Sequence, residues 1–177
     1  MLRSLVGSEM CIRDRRTGAG FVIQNNPQFN MGTPRGAGTV QGGDIEKIAA
    51  LDGVKSHVAR QNVTADLVNA KVQKLPQQEY DAEKEKQFGN AANVWGVNNT
   101  ELDNNFRSGA LKLVSGRHLQ PDDHNKAVIH EELAKANGLK VGDTITLKAN
   151  PYDVDNQKKS TARVDAEIVG LVAGKNT

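Results

Sequence analysis

Cysteine is almost missing from this chain: among 177 residues only Cys11 is present. Beyond position 16 there is therefore no material for a disulfide, a zinc knuckle or a thiol nucleophile. That scarcity fits an oxidising exterior and a reducing cytosol equally, so it fixes no compartment. Aromatic residues are sparse too, with 1 Trp, 2 Tyr and 4 Phe, which leaves few platforms for stacking nucleic-acid bases. No apolar run approaches the ~18 residues that a spanning helix requires; the longest, counting Gly, runs from Ile168 to Gly174. A surplus of positive charge is also lacking. The formal charge of +2 rests on Arg3, Arg13, Arg15 and Arg16 set against Glu9 and Asp14, all within residues 1–16. The remaining body is neutral, without the basic stripe of a nucleic-acid binder, so no nucleic-acid partner is expected.

Residues 1–16 resemble a translated adapter or assembly artefact and are set aside as a non-native leader. They do not read as a signal peptide, because Leu5-Val6-Gly7 is too short for an apolar core and Glu9, Arg13 and Asp14 follow at once. The whole chain is 37% hydrophobic, with 17 Gly, the balance of a folded globular protein.

Gly20-Phe21-Val22-Ile23 reads as a strand running into a long loop at 24–43. Asp44 stands as the N-cap of a two-turn helix carrying Ile45, Ile48 and Ala49, closed by Gly53. Alternation then predicts strands at 54–59 and 68–73, and the mixed charges of 76–90 predict a solvated excursion or a short exposed helix. A strand surrounds Trp95, a polar turn-rich stretch spans 98–109, and strands are predicted at 111–114 and 127–130. A helix from Glu131 to Asn137 follows, with acids in its first turn and Gly138-Leu139 closing it. Ile145, Leu147 and Ala149, then Ala162, Val164, Ala166 and Ile168, form two further alternating faces. Short strands with a few short helices and no regular βαβ spacing predict an α+β fold of mostly antiparallel strands. A lobe boundary falls near Thr100, dividing 17–100 from 101–177.

The densest polar cluster is His118, Asp122, Asp123, His124, His130, Glu131 and Glu132, residue types able to hold a divalent metal. His130-Glu131-Glu132-Leu133-Ala134 begins like a zinc-protease helix, but Ala134 stands where the second histidine must be. Asp153-Val154-Asp155-Asn156-Gln157-Lys158 begins like a calcium loop, yet Gln157 replaces a ligand and Lys158 the required glycine. It reads as a solvated hairpin loop. Gly18-Ala19-Gly20 and Gly36-Ala37-Gly38 fail as dinucleotide turns, because Ile23 and Gln41 occupy the third glycine positions. No Gly-x-Ser-x-Gly elbow exists. Asn62-Val63-Thr64 and Asn98-Asn99-Thr100 match the glycosylation triplet. Arg35, His57, Arg107 and Arg117 could touch a ligand but read more simply as surface residues. No catalytic residue, metal site or cofactor is assigned.

Gly43-Asp44-Ile45-Glu46-Lys47-Ile48-Ala49-Ala50-Leu51-Asp52-Gly53-Val54 resembles the helix, Gly-Val and strand that open the extracytoplasmic domain of MacB/FtsX-type ABC transporter permeases. Ser115-Gly116-Arg117-His118-Leu119 is similar to the Gly-Arg turn of that family. Val128-Ile129-His130-Glu131-Glu132-Leu133-Ala134, Gly138 to Ile145 and Ala166 to Leu171 are similar to its later half in order and spacing. Phe29-Asn30-Met31-Gly32-Thr33-Pro34-Arg35-Gly36-Ala37-Gly38 resembles the Gram-positive Vex-type branch.

The resemblance implies a non-enzymatic domain on the outer side of the cell membrane, built from a porter-like lobe and an inserted second lobe, and C-terminally truncated at Thr177 with an unpaired edge. It further implies a partner ABC ATPase, a second permease copy or homologue, and an unidentified exported substrate. The alternatives are a free secreted or cell-surface binding module and, from the His118 to Glu132 cluster, a metal-dependent hydrolase.

Overall fold

Short apolar alternations bury one face only by pairing along their edges, and here seven such strands join into one sheet. The computed structural model describes residues 20–27, 42–73, 81–154, 156 and 158–174. In chain order the elements are β1 (Gly20–Pro27), α1 (Gly42–Ala49), β2 (Arg60–Leu67), α2 (Ala82–Phe88), β3 (Ala91–Val97) and α3 (Asn104–Arg107). They continue with β4 (Leu111–Gly116), β5 (Lys126–His130), α4 (Glu131–Asn137), β6 (Thr144–Ala149) and β7 (Arg163–Gly174).

The strands run β4-β7-β5-β1-β3-β2-β6, and β6 pairs back onto β7. β7, β5, β1, β3, β2 and β6 thus close a six-stranded mixed barrel, with β4 as one extra strand outside the ring. β1, β5 and β7 are mutually parallel neighbours, while the other pairs are antiparallel. β7 can serve three partners because it is 12 residues long. Its first half pairs with β6, its last part with β4, and its middle with β5.

This architecture corrects the expected two-lobe α+β fold with a porter-like lobe. The ring draws β1, β2 and β3 from before Thr100 and β5, β6 and β7 from after it, and β1 lies in register beside β5, Val22 opposite Val128. Local alternation marks a strand but does not say which strand lies next to it, and pairings across a hundred residues leave no local trace. β6, β5 and β4 between them flank β7 from Arg163 to Gly174, and β4, which pairs with β7 alone among the described strands, keeps a free edge.

Alternation along the ring divides the apolar side chains between two clusters. Inside lie Phe21, Ile23, Val94, Ala127, Ile129, Ile145, Leu147, Ala166 and Ile168, joined by Leu133 and Ala134 of α4. Fully burying each large aliphatic side chain contributes about 1.5–3 kcal/mol. Outside, Val22, Trp95, Val97, Val128 and Val172 meet Leu111 of β4 and Leu119 of the following segment. Between Ala127/Ile168 and Val128/Gly170 the pairing slips by one residue, and the extra residue, Val169, joins the outer cluster.

Helix α4 spans the expected residues. Gly138 adopts φ 64 at its end, and the N–H of Leu139 bonds Ala134 O at 2.9 Å. Elsewhere the boundaries moved. The strands expected at 54–59 and 68–73 are unpaired or bent chain, and the strand between them is β2, Arg60–Leu67. Within 76–90 the short exposed helix, one of the two expected forms, is α2, with Phe88 buried at its end. Residues 74–80 lie outside the described set.

Candidate functional site

Of the polar cluster singled out from sequence, His118, Asp123, His130 and Glu131 each hold a separate structural contact rather than a common centre. His130 ends β5 and caps α4. Its Nδ1 accepts from the N–H of Glu132 at 3.3 Å, and its Nε2–H donates to the carbonyl of Gly174 at 3.3 Å. Both contacts are satisfied together when the ring proton sits on Nε2. The ring is 3% exposed and ties the start of α4 to the end of β7. Glu131 faces Lys135 one helical turn on, at 2.8 Å, and that hydrogen bond holds its carboxyl below the ordinary range.

The Gly-Arg turn is a clasp. Gly116 takes φ 74, and a Cβ there would collide with the carbonyl of Val169. The next residue closes the turn through Arg117 N–H to Val169 O at 2.9 Å. The Arg117 guanidinium then grips Asp123 with both terminal nitrogens, at 2.7 and 2.8 Å. Asp123 also accepts from the N–H of Gln120. The Arg117 hydrogen bonds push the Asp123 carboxyl below its usual value, and Asp123 in turn raises Arg117.

His118 Nδ1 lies 2.9 Å from Thr100 Oγ1, and its ring meets Phe106 edge-on at 5.1 Å. The same Thr100 oxygen accepts from the N–H of Leu119, whose side chain packs under Gly20, where a Cβ would come within 2.5 Å of it. Gly20 thus serves close packing. Asp122 and His124 are exposed. Among the described residues, no three His, Cys, Asp or Glu side chains converge as a metal site.

The loop at 150–160 was expected to be a solvated hairpin, and this is corrected. Asn150, Asp153 and Asn156 are buried. The Asn156 amide donates to Asn150 O and Ser160 O, and Asn150 donates to Asp66 and to Gln87 O. Burial raises the Asp66 carboxyl, with the Asn150 hydrogen bond and Lys148 opposing. Asp155 and Gln157 lie outside the described residues.

Buried or half-buried amides are the functional class that sequence reasoning missed. Asn90 receives Val72 N–H and donates to Leu67 O and Ala70 O, latching the bent chain after β2. Asn137 does the same for Lys71 from the end of α4. In the sequence these residues look like ordinary turn formers. The one available signal is their position at element ends, Asn90 between α2 and β3 and Asn137 at the close of α4, where the backbone groups of irregular chain must find partners.

Of the remaining candidates, Arg107 and His57 are exposed, while Arg35 and Gly36 to Gly38 lie outside the described residues. Asn98 pins the chain before β2 through Ala59 N–H and His57 O. Arg60 lies over Trp95 at 4.9 Å and 3.6 Å from the buried Asp103.

The surface with the plainest capacity for contact is the arm formed by α1 and residues 50–58. Ile45 and Ile48 lie three apart on one side of α1, and Leu51 follows just past its end. A tight turn with Gly53 at φ 89 follows, and then Val54 and Val58. Ile48 is 48% exposed and Leu51 60%, with Val54 and Val58 open as well. Apolar residues clustered in this way mark contact surfaces more often than scattered ones do.

Comparison with protein families, curated proteins and solved structures returns no match. Among the described residues no helix is long and apolar enough to cross a membrane.

Proposed function

We propose that this chain is a coupling and contact module on the outer side of the cell membrane, part of a MacB/FtsX-type ABC transporter permease. Its motion is driven by a partner ATPase on the inner side, and it works beside a second permease copy or homologue in the export of an unidentified substrate or in mechanotransmission. The observation that carries this reading is the resemblance of five segments in the family's order, from Gly43–Val54 to Ala166–Leu171. The porter-like lobe is no part of it. Two features of the structure support a contact role over a catalytic one. His118, Asp123 and His130 are spent on a hydroxyl contact, an arginine clasp and a helix cap, and the α1 arm offers apolar side chains to a partner.

The test is recovery of the full reading frame and its neighbourhood. Spanning runs of about 20 apolar residues on both sides of the module, with an ATPase gene adjacent, are expected. A cleaved leader and a stop shortly after position 177 would instead identify a free secreted or cell-surface binding module, the second reading, which the exposed arm also favours.

A further inference from the structure

Strand direction places the two ends of the described barrel at opposite poles. Gly20, where β1 begins, is level with Lys126 of β5, and Lys126 is level with Glu167 of β7. Gly174, where β7 ends, lies six strand steps farther along the same direction once the bulged Val169 is left out, roughly 20 Å at about 3.3 Å per residue. Since β1, β5 and β7 are adjacent and parallel, tension applied through the chain before Gly20 and after Gly174 pulls β1 one way and β7 the other, along their own axes. The hydrogen bonds between them lie across that pull, so the ladder is loaded in shear and its bonds must fail together. A strand peeled from its end loses them one at a time.

Both loaded strands are flanked on two sides, β1 by β3 and β5, and β7 by β5 together with β6 and then β4. The β5/β7 seam is also riveted at each pole. Lys126 pairs with Glu167 at one end, and His130 Nε2–H reaches Gly174 O at the other. Closure of the ring leaves none of its six strands at an edge, so among the described strands the free edge lies on β4, outside the ring.

We propose that the β1-β5-β7 triad is a force-bearing clamp, which makes the barrel stiff to tension along its strands and soft to peeling at β4. This deepens the coupling reading and takes its biological meaning from it, since a module that transmits motion has to carry load without opening.

Single-molecule pulling on the whole chain, with Cys11 replaced by Ser, tests the clamp. One pair of handles sits at the two chain ends; the other joins the C-terminal end to Lys112→Cys, across from Ala173, so that β4 peels from β7. End-to-end rupture is expected at severalfold higher force than peeling, whereas equal forces, or a weaker end-to-end response, would overturn the proposal. His130→Asn keeps a capping acceptor for α4 but is too short to reach Gly174. It should lower the end-to-end force and leave the peeling force unchanged; an equal fall in both would assign His130 to general stability and remove it from the clamp. A locus without an ATPase would defeat the coupling reading and leave these forces untouched, while equal forces would defeat the clamp and leave that reading standing.

Discussion

The barrel and the α1 arm are made of the same kinds of residues, yet they treat them in opposite ways. Ile23, Ile129, Ile145, Leu147 and Ile168 are wholly enclosed, whereas Ile48 and Leu51 stand about half or more in solvent. In both regions the apolar positions recur with a regular period. Periodicity therefore specifies that an element has an apolar face, while the presence of a partner for that face depends on where the chain returns. In the ring, strands from distant parts of the sequence supply the partner. Along the arm the face is left to whatever meets the protein.

The contrast can be broken most severely from inside the ring. Ile168→Ala removes a side chain with no exposure and should cost about 2–5 kcal/mol, read from the urea midpoint. A cost like that of a surface change would mean that the ring does not pack as described. Gly116→Ala comes next. It forces a side chain into φ 74 and against the Val169 carbonyl, at an expected cost of about 1–3 kcal/mol.

Two of the carboxylates with shifted affinities sharpen the comparison through pH. Asp123 is held below its usual value by Arg117, so its contribution is present above the unfolded carboxyl range and lost as pH falls through the folded value. Asp123→Asn should cost about 1 kcal/mol at neutral pH and flatten the acid limb of the stability curve. Asp66 has the opposite sign. Burial raises it, so stability declines as pH rises from the unfolded value, about 3.9, through the folded one. Asp66→Asn still accepts from Asn150 and should abolish that decline, and urea midpoints at acid and neutral pH measure it. A variant as pH-dependent as the parent in this range would show that Asp66 is not the desolvated group.

The smallest effect belongs to the arm. Leu51→Ala should cost less than about 0.5 kcal/mol of stability, read from the urea midpoint, because its side chain is already 60% exposed. A loss near that of Ile168→Ala would place the arm inside the cooperative unit.

How far the sequence could be read follows the same division. Helix α4 was legible from its acidic first turn and Gly138, and β6 and the start of β7 from their clean alternation. β2 was misplaced because Thr64 and Asp66 alternate with Ala65 and Leu67 in a stretch that reads as polar, while the stronger apolar residues flank it on both sides. Ring closure was not legible, since it depends on β1 meeting β5 and β6 meeting β7. Nor were the asparagine latches, whose value appears only once the backbone they satisfy is folded. For the candidate site, the Arg117 turn was visible as a motif. Its Asp123 partner stood six residues on, within a cluster that pointed toward metal chemistry instead.

The length and position of β7 also bear on how the protein is made. This strand touches β4, β5 and β6, yet it is the last described element to leave the ribosome, at about 5–20 residues per second. Until it arrives, β5 and β6 each lack one neighbour and the inner apolar faces stay open to water. The nascent chain thus passes through a late, sticky interval of some seconds, during which a holding chaperone would decide the yield.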